Sequence, residues 1–322
     1  MIFGVVIGVA AVLGAITAKV AAMRTRISMR AWVLFKIVPF LVPKYSSPGV
    51  LQCAIDKDRL RGPALPAWYM RKRIRFSEAT RGADRVFLVA PRDGPHSPVR
   101  IFFLHGGGYV FDLQDPHWSL IWGLISRTGA EVIVPIYPLA PENSWREGLD
   151  MVQRVYLELV KDISEKNIVI VGDSAGGGLV LALAQALRDA KLPAPAAAVL
   201  FSPWLDVRVS APDQPELARQ DPAFTIEFLR TVGLMWAKDV ALNDPRVSPL
   251  FGEHTGLPPT IVFTGTWDIL NSDAKRLAAI SGDVTLREYP NMMHVWPVLP
   301  IPEGRRALDE AVAFINRHIV VR

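Results

Sequence analysis

The run from Ile168 to about Ala190 constrains this chain more than any other stretch. An apolar, β-type segment (Ile168 to Val171) ends in Gly172-Asp173-Ser174-Ala175-Gly176, and a helix-periodic segment follows at once from Gly177. A strand that turns directly into a helix leaves no room for side chains at the two flanking positions. Gly172 and Gly176 therefore read as steric requirements. Such a turn leaves Ser174 at the carboxyl edge of a sheet, with its hydroxyl at a helix N-terminus. A G-x-S-x-G pentapeptide also arises by chance in glycine-rich loops. The strand before it and the helix after it are what mark a nucleophile elbow.

The flanking sequence supplies the sheet. Ile74 to Phe76 and Arg85 to Val89 read as two edge-type strands, and Pro91 to Pro98 as a turn-rich loop. A regular alternation then begins with strand Val99 to Leu104, helix His117 to Thr128, strand Glu131 to Ile136 and helix Trp145 to Lys161. After the elbow come strand Ala197 to Ser202, strand Thr260 to Thr264, helix Ser272 to Ile280, strand Val284 to Tyr289 and a closing helix from about Glu303 to His318. Strands alternating with helices predict an α/β fold with a mostly parallel sheet and helices on both faces. Trp204 to about Pro249 interrupts the alternation with aromatic-bearing helical segments (Phe224, Phe228, Trp236), an insertion expected to cap the carboxyl edge of the sheet. The expected division is residues 1–28 as an N-terminal helix and 29–322 as one domain, with a helical cap contributed by about 29–70 and 205–249.

Composition narrows the partners. Half of the 322 residues are apolar, ample for a large core, and 36 Lys+Arg against 31 Asp+Glu leave +5. No basic block with interleaved aromatics occurs, which argues against nucleic acid. The single cysteine, Cys53, excludes an intramolecular disulfide and a cysteine metal cage. Residues 2–18 are uninterrupted apolar or small residues, at the short end of what spans a bilayer. Positive charges (Lys19, Arg24, Arg26, Arg30) follow that run instead of preceding it, unlike a cleaved signal peptide. On the positive-inside rule this predicts a membrane anchor with the catalytic body in the cytoplasm, with a buried or interfacial helix and an atypical signal peptide as the alternatives; Gly4-x-x-x-Gly8 offers a face for helix pairing. Met29 to Val42, with Trp32, Phe35 and Phe40 and interrupted by Pro39, is amphipathic. It suits a membrane surface, the roof of a pocket, or ordinary packing on the core.

A serine hydroxyl attacks a carbonyl only when a base takes its proton and an acid fixes the base's tautomer. After an elbow the chain order is serine, acid, histidine. Of six histidines, His96, His105 and His117 precede Ser174, His254 lies by the insertion, and His318 is inside the closing helix. His294 alone falls in a loop directly after the last strand. The acid is Asp268, in the Gly265-Thr-Trp-Asp268 turn after a strand. Asp273 sits five residues on, where a carboxylate serves a helix dipole, and Asp283 precedes a strand, at the wrong edge. The oxyanion of a tetrahedral intermediate needs N–H donors. His105-Gly-Gly-Gly108, straight after a strand, offers them without Cβ interference, together with the N–H of Ala175. No phosphate loop, dinucleotide fingerprint or metal-ligand spacing competes, so no cofactor or metal is implied.

In chain order, His105-Gly-Gly-Gly-Tyr109, Tyr137-Pro-Leu-Ala-Pro-Glu142, Gly172-Asp-Ser-Ala-Gly-Gly177, Ser202-Pro-Trp-Leu-Asp206, Gly265-Thr-Trp-Asp268 and His294 resemble the hormone-sensitive-lipase-like branch of the α/β-hydrolases. That branch includes bacterial family IV esterases and steryl acetyl hydrolases. The resemblance runs from about residue 99 to the C-terminus. It implies a catalytic triad of Ser174, Asp268 and His294, an oxyanion hole of Gly107, Gly108 and Ala175, and Glu142 as a structural residue near the site. Pro138 stands where relatives have a basic residue. Asp268-Ile-Leu-Asn departs from the usual Asp-Pro-Leu. The expected activity is hydrolysis of a hydrophobic short- or medium-chain acyl ester, such as an acetylated lipid or sterol-like alcohol, through an acyl-enzyme. The same triad serves amide or formamide hydrolysis and acyl transfer, and an inactive ligand-binding descendant would be expected to lose a triad residue. Oligomeric state is left open.

Overall fold

The computed structural model describes residues 26–41, 45 and 47–319. One eight-stranded sheet runs through the molecule in the order β1-β2-β4-β3-β5-β6-β7-β8. Its strands are β1 (Ile74–Arg81), β2 (Asp84–Pro91), β3 (Arg100–Leu104), β4 (Glu131–Pro135), β5 (Ile168–Asp173), β6 (Ala197–Phe201), β7 (Thr260–Gly265) and β8 (Val284–Tyr289). From β4 to β8 every pairing is parallel, while β2 runs antiparallel to both β1 and β4. This is the mostly parallel sheet expected of the chain, with one difference. Of the first two strands only β1 lies at an edge, because β2 is paired on both sides, which explains its buried Val86, Phe87, Val89 and Ala90.

The helices are α1 (Met29–Leu41), α2 (Pro48–Arg61), α3 (Trp68–Arg71), α4 (Asp115–Thr128), α5 (Trp145–Asp162), α6 (Ala175–Asp189), α7 (Gln214–Gln220), α8 (Ile226–Ala237), α9 (Asn271–Ile280) and α10 (Pro302–His318). The sheet divides the apolar core in two. Ile168 and Ile170 of β5 face a cluster that includes residues of α5, α6 and α9, while Val169 and Val171 face one built with α4 and α10. Strand side chains alternate, so a strand buried on both faces must be apolar throughout. Each such Val, Ile or Leu contributes roughly 1.5–3 kcal/mol. Helix ends are fixed locally: Ser144 caps α5 through a reciprocal pairing with Glu147, whose carboxylate accepts the Ser144 N–H at 2.9 Å.

The expected membrane anchor and cytoplasmic orientation are not sustained. Most of residues 1–28, Gly4 and Gly8 included, lies outside the described residues. Among the described residues no helix is long and apolar enough to cross a membrane. The described part of the N-terminal region has a different use for its apolar side chains. α1 has 13 residues and contains Pro39. Ala31, Phe35 and Val38 are buried, Phe35 against Trp267 at 6.2 Å between ring centres. Ahead of it, the Ser28 hydroxyl and N–H both donate to the Glu303 carboxylate of α10. Hydropathy reports that side chains need cover without saying what covers them. Here the body of the protein covers one face of α1, while Val33, Ile37, Phe40 and Leu41 stay exposed.

Candidate active site

The turn after β5 has the geometry its glycines require. Ser174 sits at φ 53° and ψ −122°, a region non-glycine residues rarely occupy. Three backbone bonds hold it there: its N–H donates to Phe201 O, and its carbonyl accepts from Gly178 and Trp204. A Cβ on Gly172 would meet Gly176 O at 2.5 Å, and one on Gly176 would run into Leu104 O and His105 O. Both glycines are thus obligatory for close approach. The serine is 8 % exposed and lines a cavity of about 610 Å³.

The acid and the histidine come from the next two strand ends. Asp268 follows β7 and His294 follows β8, and the two loops are bonded to one another. Trp267 N–H donates to Met292 O, and Asn291 N–H to Thr266 Oγ1. Gly265 is required there, because a Cβ would run into Met292 O. His294 Nδ1 lies 2.9 Å from Asp268 Oδ1, with the carboxylate fully buried. The carboxylate accepts, so Nδ1 carries the proton and Nε2 is left as the basic nitrogen. Nε2 is buried and has no hydrogen-bond partner among the described residues, and His294 lines the same cavity as Ser174. Burial disfavours the imidazolium, but the Asp268 charge and its hydrogen bond outweigh it and raise His294 above its ordinary value. Ser202 steadies this loop, its hydroxyl accepting the Val295 N–H at 3.0 Å.

The glycine loop after β3 faces the elbow. Gly107 (φ 124°) and Gly108 (φ 63°) are in conformations that side chains resist. Gly106 N–H is already committed to Asp173 Oδ1 at 3.1 Å, whereas the N–H groups of Gly107, Gly108 and Ala175 have no partner among the described residues. His105 is a buried spacer: its ring stacks on Tyr137 at 4.4 Å, and Tyr137 donates to His105 O at 2.6 Å. Burial lowers its pKa and keeps it neutral.

A second histidine–carboxylate pair lies on this side. His117 Nε2 is 3.3 Å from Asp173 Oδ2, and its Nδ1 accepts the Gln114 N–H at 2.8 Å. Burial pushes Asp173 up, but His117 and the Gly106 amide outweigh it and hold the carboxyl below its ordinary value. Sequence reasoning set His117 aside as preceding the serine. The available signal was its place as the third residue of α4, where a side chain reaches back to the cap. Asp273, the alternative acid, points elsewhere: it is buried against the N–H groups of Leu205 and Asp206. Glu142 is paired with Arg59 of α2, whose guanidinium also reaches Val110 O and Ala140 O. That ties the N-terminal region to the glycine loop and leaves Glu142 a structural role.

Facing this machinery is an aromatic wall. Tyr45 stacks between Phe111 (5.3 Å) and Phe228 (5.0 Å), Phe228 stacks on Phe224 (5.7 Å), and Phe224 meets the His294 ring edge-on at 4.9 Å. Lys57, Asp58 and Arg61 complete one side of the cavity.

A serine on a strained strand–helix turn, a buried acid–imidazole pair and free glycine amides, all at the carboxyl edge of such a sheet, define the class: this is a serine hydrolase of the carboxylesterase–lipase type. A model of the alpha/beta hydrolase fold family matches residues 101–298, and the chain belongs to that family, in its hormone-sensitive-lipase-like branch. It is 35% identical over 225 residues to an acetyl-hydrolase of Streptomyces hygroscopicus, covering 67% of this chain and 75% of that protein. To an esterase of Acinetobacter venetianus it is 36% identical over 222 residues, covering 66% and 73%. Among solved structures it resembles a hormone-sensitive lipase from a metagenome library, with a TM-score of 0.78, 26% identity and coverage of 89% and 96%. The esterase EstE5 gives a TM-score of 0.80 at 26% identity, covering 90% and 98%.

Proposed function

We infer that the protein hydrolyses hydrophobic carboxylic esters with short or medium acyl chains through an acyl-enzyme. The observation that carries this is the His294–Asp268 pair at 2.9 Å, whose unpartnered Nε2 belongs to a residue sharing one cavity with Ser174. In this scheme His294 Nε2 takes the Ser174 proton as Oγ adds to the ester carbonyl. The N–H groups of Gly107, Gly108 and Ala175 receive the oxyanion, each such donor being worth about 2.7–4 kcal/mol. The imidazolium, stabilised by Asp268, gives its proton to the departing alkoxide. Water then attacks the acyl-Ser174, losing its proton to His294, and the free acid and serine are restored.

The stacked aromatics Phe111, Tyr45, Phe228 and Phe224 support an apolar substrate. Residues 29–70 and 205–249 would form the cap that supplies this wall, since Leu41 and Tyr45 come from one segment and Phe224 and Phe228 from the other. Acetyl esters of lipid or sterol-like alcohols head the candidates, because one relative is an acetyl-hydrolase. The test is a panel of p-nitrophenyl esters graded in acyl length, run beside an aryl formamide and an acyl-acceptor alcohol. Turnover of the acetyl to hexanoyl esters is expected. Preferential cleavage of the formamide, or transfer to the alcohol in place of hydrolysis, would replace esterase by amidase or transferase.

A further inference from the structure

The insertion between β6 and β7 carries a buried carboxylate that the chemistry above does not use. Asp221 follows α7 and is 9 % exposed. Its Oδ1 accepts the N–H groups of Ala223 (2.7 Å) and Phe224 (3.1 Å), closing a local turn around Pro222. Its Oδ2 accepts the N–H of Ile269 at 3.0 Å, a residue 48 positions away and next to Asp268. Asp268 Oδ1 takes the following amide, that of Leu270, at 2.9 Å. Two carboxylates from distant parts of the chain therefore bind consecutive N–H groups of one turn.

The residue type is telling. Asn or Ser closes a local turn as well as Asp does, but only a carboxylate offers acceptor oxygens on both sides. The arrangement is also costly: burial, and then the neighbouring Asp268, push Asp221 up to about 6. Asp268 and His294 are the ionisable groups that face it. What Asp221 fixes lies against the base, since Phe224, whose N–H it holds, meets the His294 ring edge-on at 4.9 Å and 86°.

We propose that Asp221 is a positioning residue that clamps the insertion to the acid turn, so that Phe224 walls the His294 imidazole while Asp268 keeps its alignment on Nδ1. This rests on the triad assignment above.

The experiment compares kcat, KM and the pH profile for p-nitrophenyl acetate across wild type, Asp221→Asn, Asp221→Ala, Phe224→Ala and Ser174→Ala, with thermal unfolding of each. Both Asp221 variants are expected to lose about 10- to 100-fold in kcat, with KM for this small ester changing less than about threefold. Asn, which keeps one acceptor, is expected to lose less. Their acid limb should move to lower pH, because a negative charge that favours the imidazolium is gone. Phe224→Ala should lower kcat and, by relieving the burial of the imidazole, move the acid limb to higher pH, opposite to the Asp221 variants. A folded Asp221 variant with wild-type kcat and acid limb would overturn the proposal. So would variants that merely melt earlier with both kinetic readouts unmoved. If Asp221→Ala does not fold, Asp221→Asn and Phe224→Ala decide the matter. Turnover that survives Ser174→Ala would instead remove the triad assignment, and this proposal with it.

Discussion

Two buried histidine–carboxylate pairs flank the elbow, and they use their ring nitrogens differently. In the pair His117–Asp173 both ring nitrogens are occupied, Nδ1 by the Gln114 N–H and Nε2 by the carboxylate at 3.3 Å. In the pair His294–Asp268 the carboxylate takes Nδ1 at 2.9 Å and Nε2 has no partner among the described residues. An imidazole with both nitrogens bonded is a brace, and one with a free basic nitrogen is a base. The brace has its own work. His117 orients Asp173, and Asp173 holds Gly106, the glycine ahead of the two whose amides are free. In the proposed mechanism one pair moves a proton while the other holds the loop that receives the negative charge.

The comparison breaks first at the bases. His294→Ala and Ser174→Ala are each expected to lower kcat on a p-nitrophenyl ester by about 10⁴- to 10⁶-fold. His117→Ala should cost far less, about 10- to 100-fold, since it loosens the oxyanion loop without removing a reacting group. Equal losses would erase the distinction. The carboxylates should follow suit: Asp268→Asn by about 10⁴-fold through the wrong imidazole tautomer, and Asp173→Asn by about 10²-fold.

Titration sharpens the contrast further. Hydrolysis needs neutral His294, whose pKa is raised by Asp268 against the opposing effect of burial. The acid limb of kcat/KM should therefore fall above the ordinary histidine value of about 6.5. His117→Ala should leave that limb where it is, and a limb that shifts with His117 would show that the two pairs titrate together.

The smallest effect concerns stability. Burial, and then Asp206, push Asp273 up to about 7. The folded state holds this proton more tightly than an unfolded carboxyl of pKa about 3.9 does. Its contribution to stability is therefore complete in acid and is lost as pH rises toward 7. Asp273→Asn should flatten the fall in melting temperature between pH 5 and 7.5, and an unchanged slope would contradict the assignment.

These contrasts also explain what the sequence could disclose. Gly172, Gly176 and Gly265 are forced by close backbone approach, so the turns that present Ser174, Asp268 and His294 leave a mark in residue type and chain order. Asp221 leaves none, since Asp-Pro reads only as a turn former and its partner at Ile269 lies across the fold. His117 shows only a capping position in the first turn of α4, with nothing to name Asp173 as its partner. The aromatic wall is equally silent: Phe224 and Phe228 show that an insertion packs on something, and only the fold brings Tyr45 and Phe111 to meet them. The apolar run 2–18, on which the expected anchor rested, lies outside the described residues, and the stretch after it, α1, packs its buried face on Trp267 and α10.

The account depends most on the free Nε2 of His294 activating Ser174 and no other nucleophile. Intact-mass analysis of the protein after reaction with a fluorophosphonate tests this directly. One adduct is predicted, formed rapidly by the wild type, far more slowly by His294→Ala, at an intermediate rate by a folded His117→Ala, and not at all by Ser174→Ala. An adduct that persists in Ser174→Ala, or that forms at an unchanged rate without His294, would contradict it.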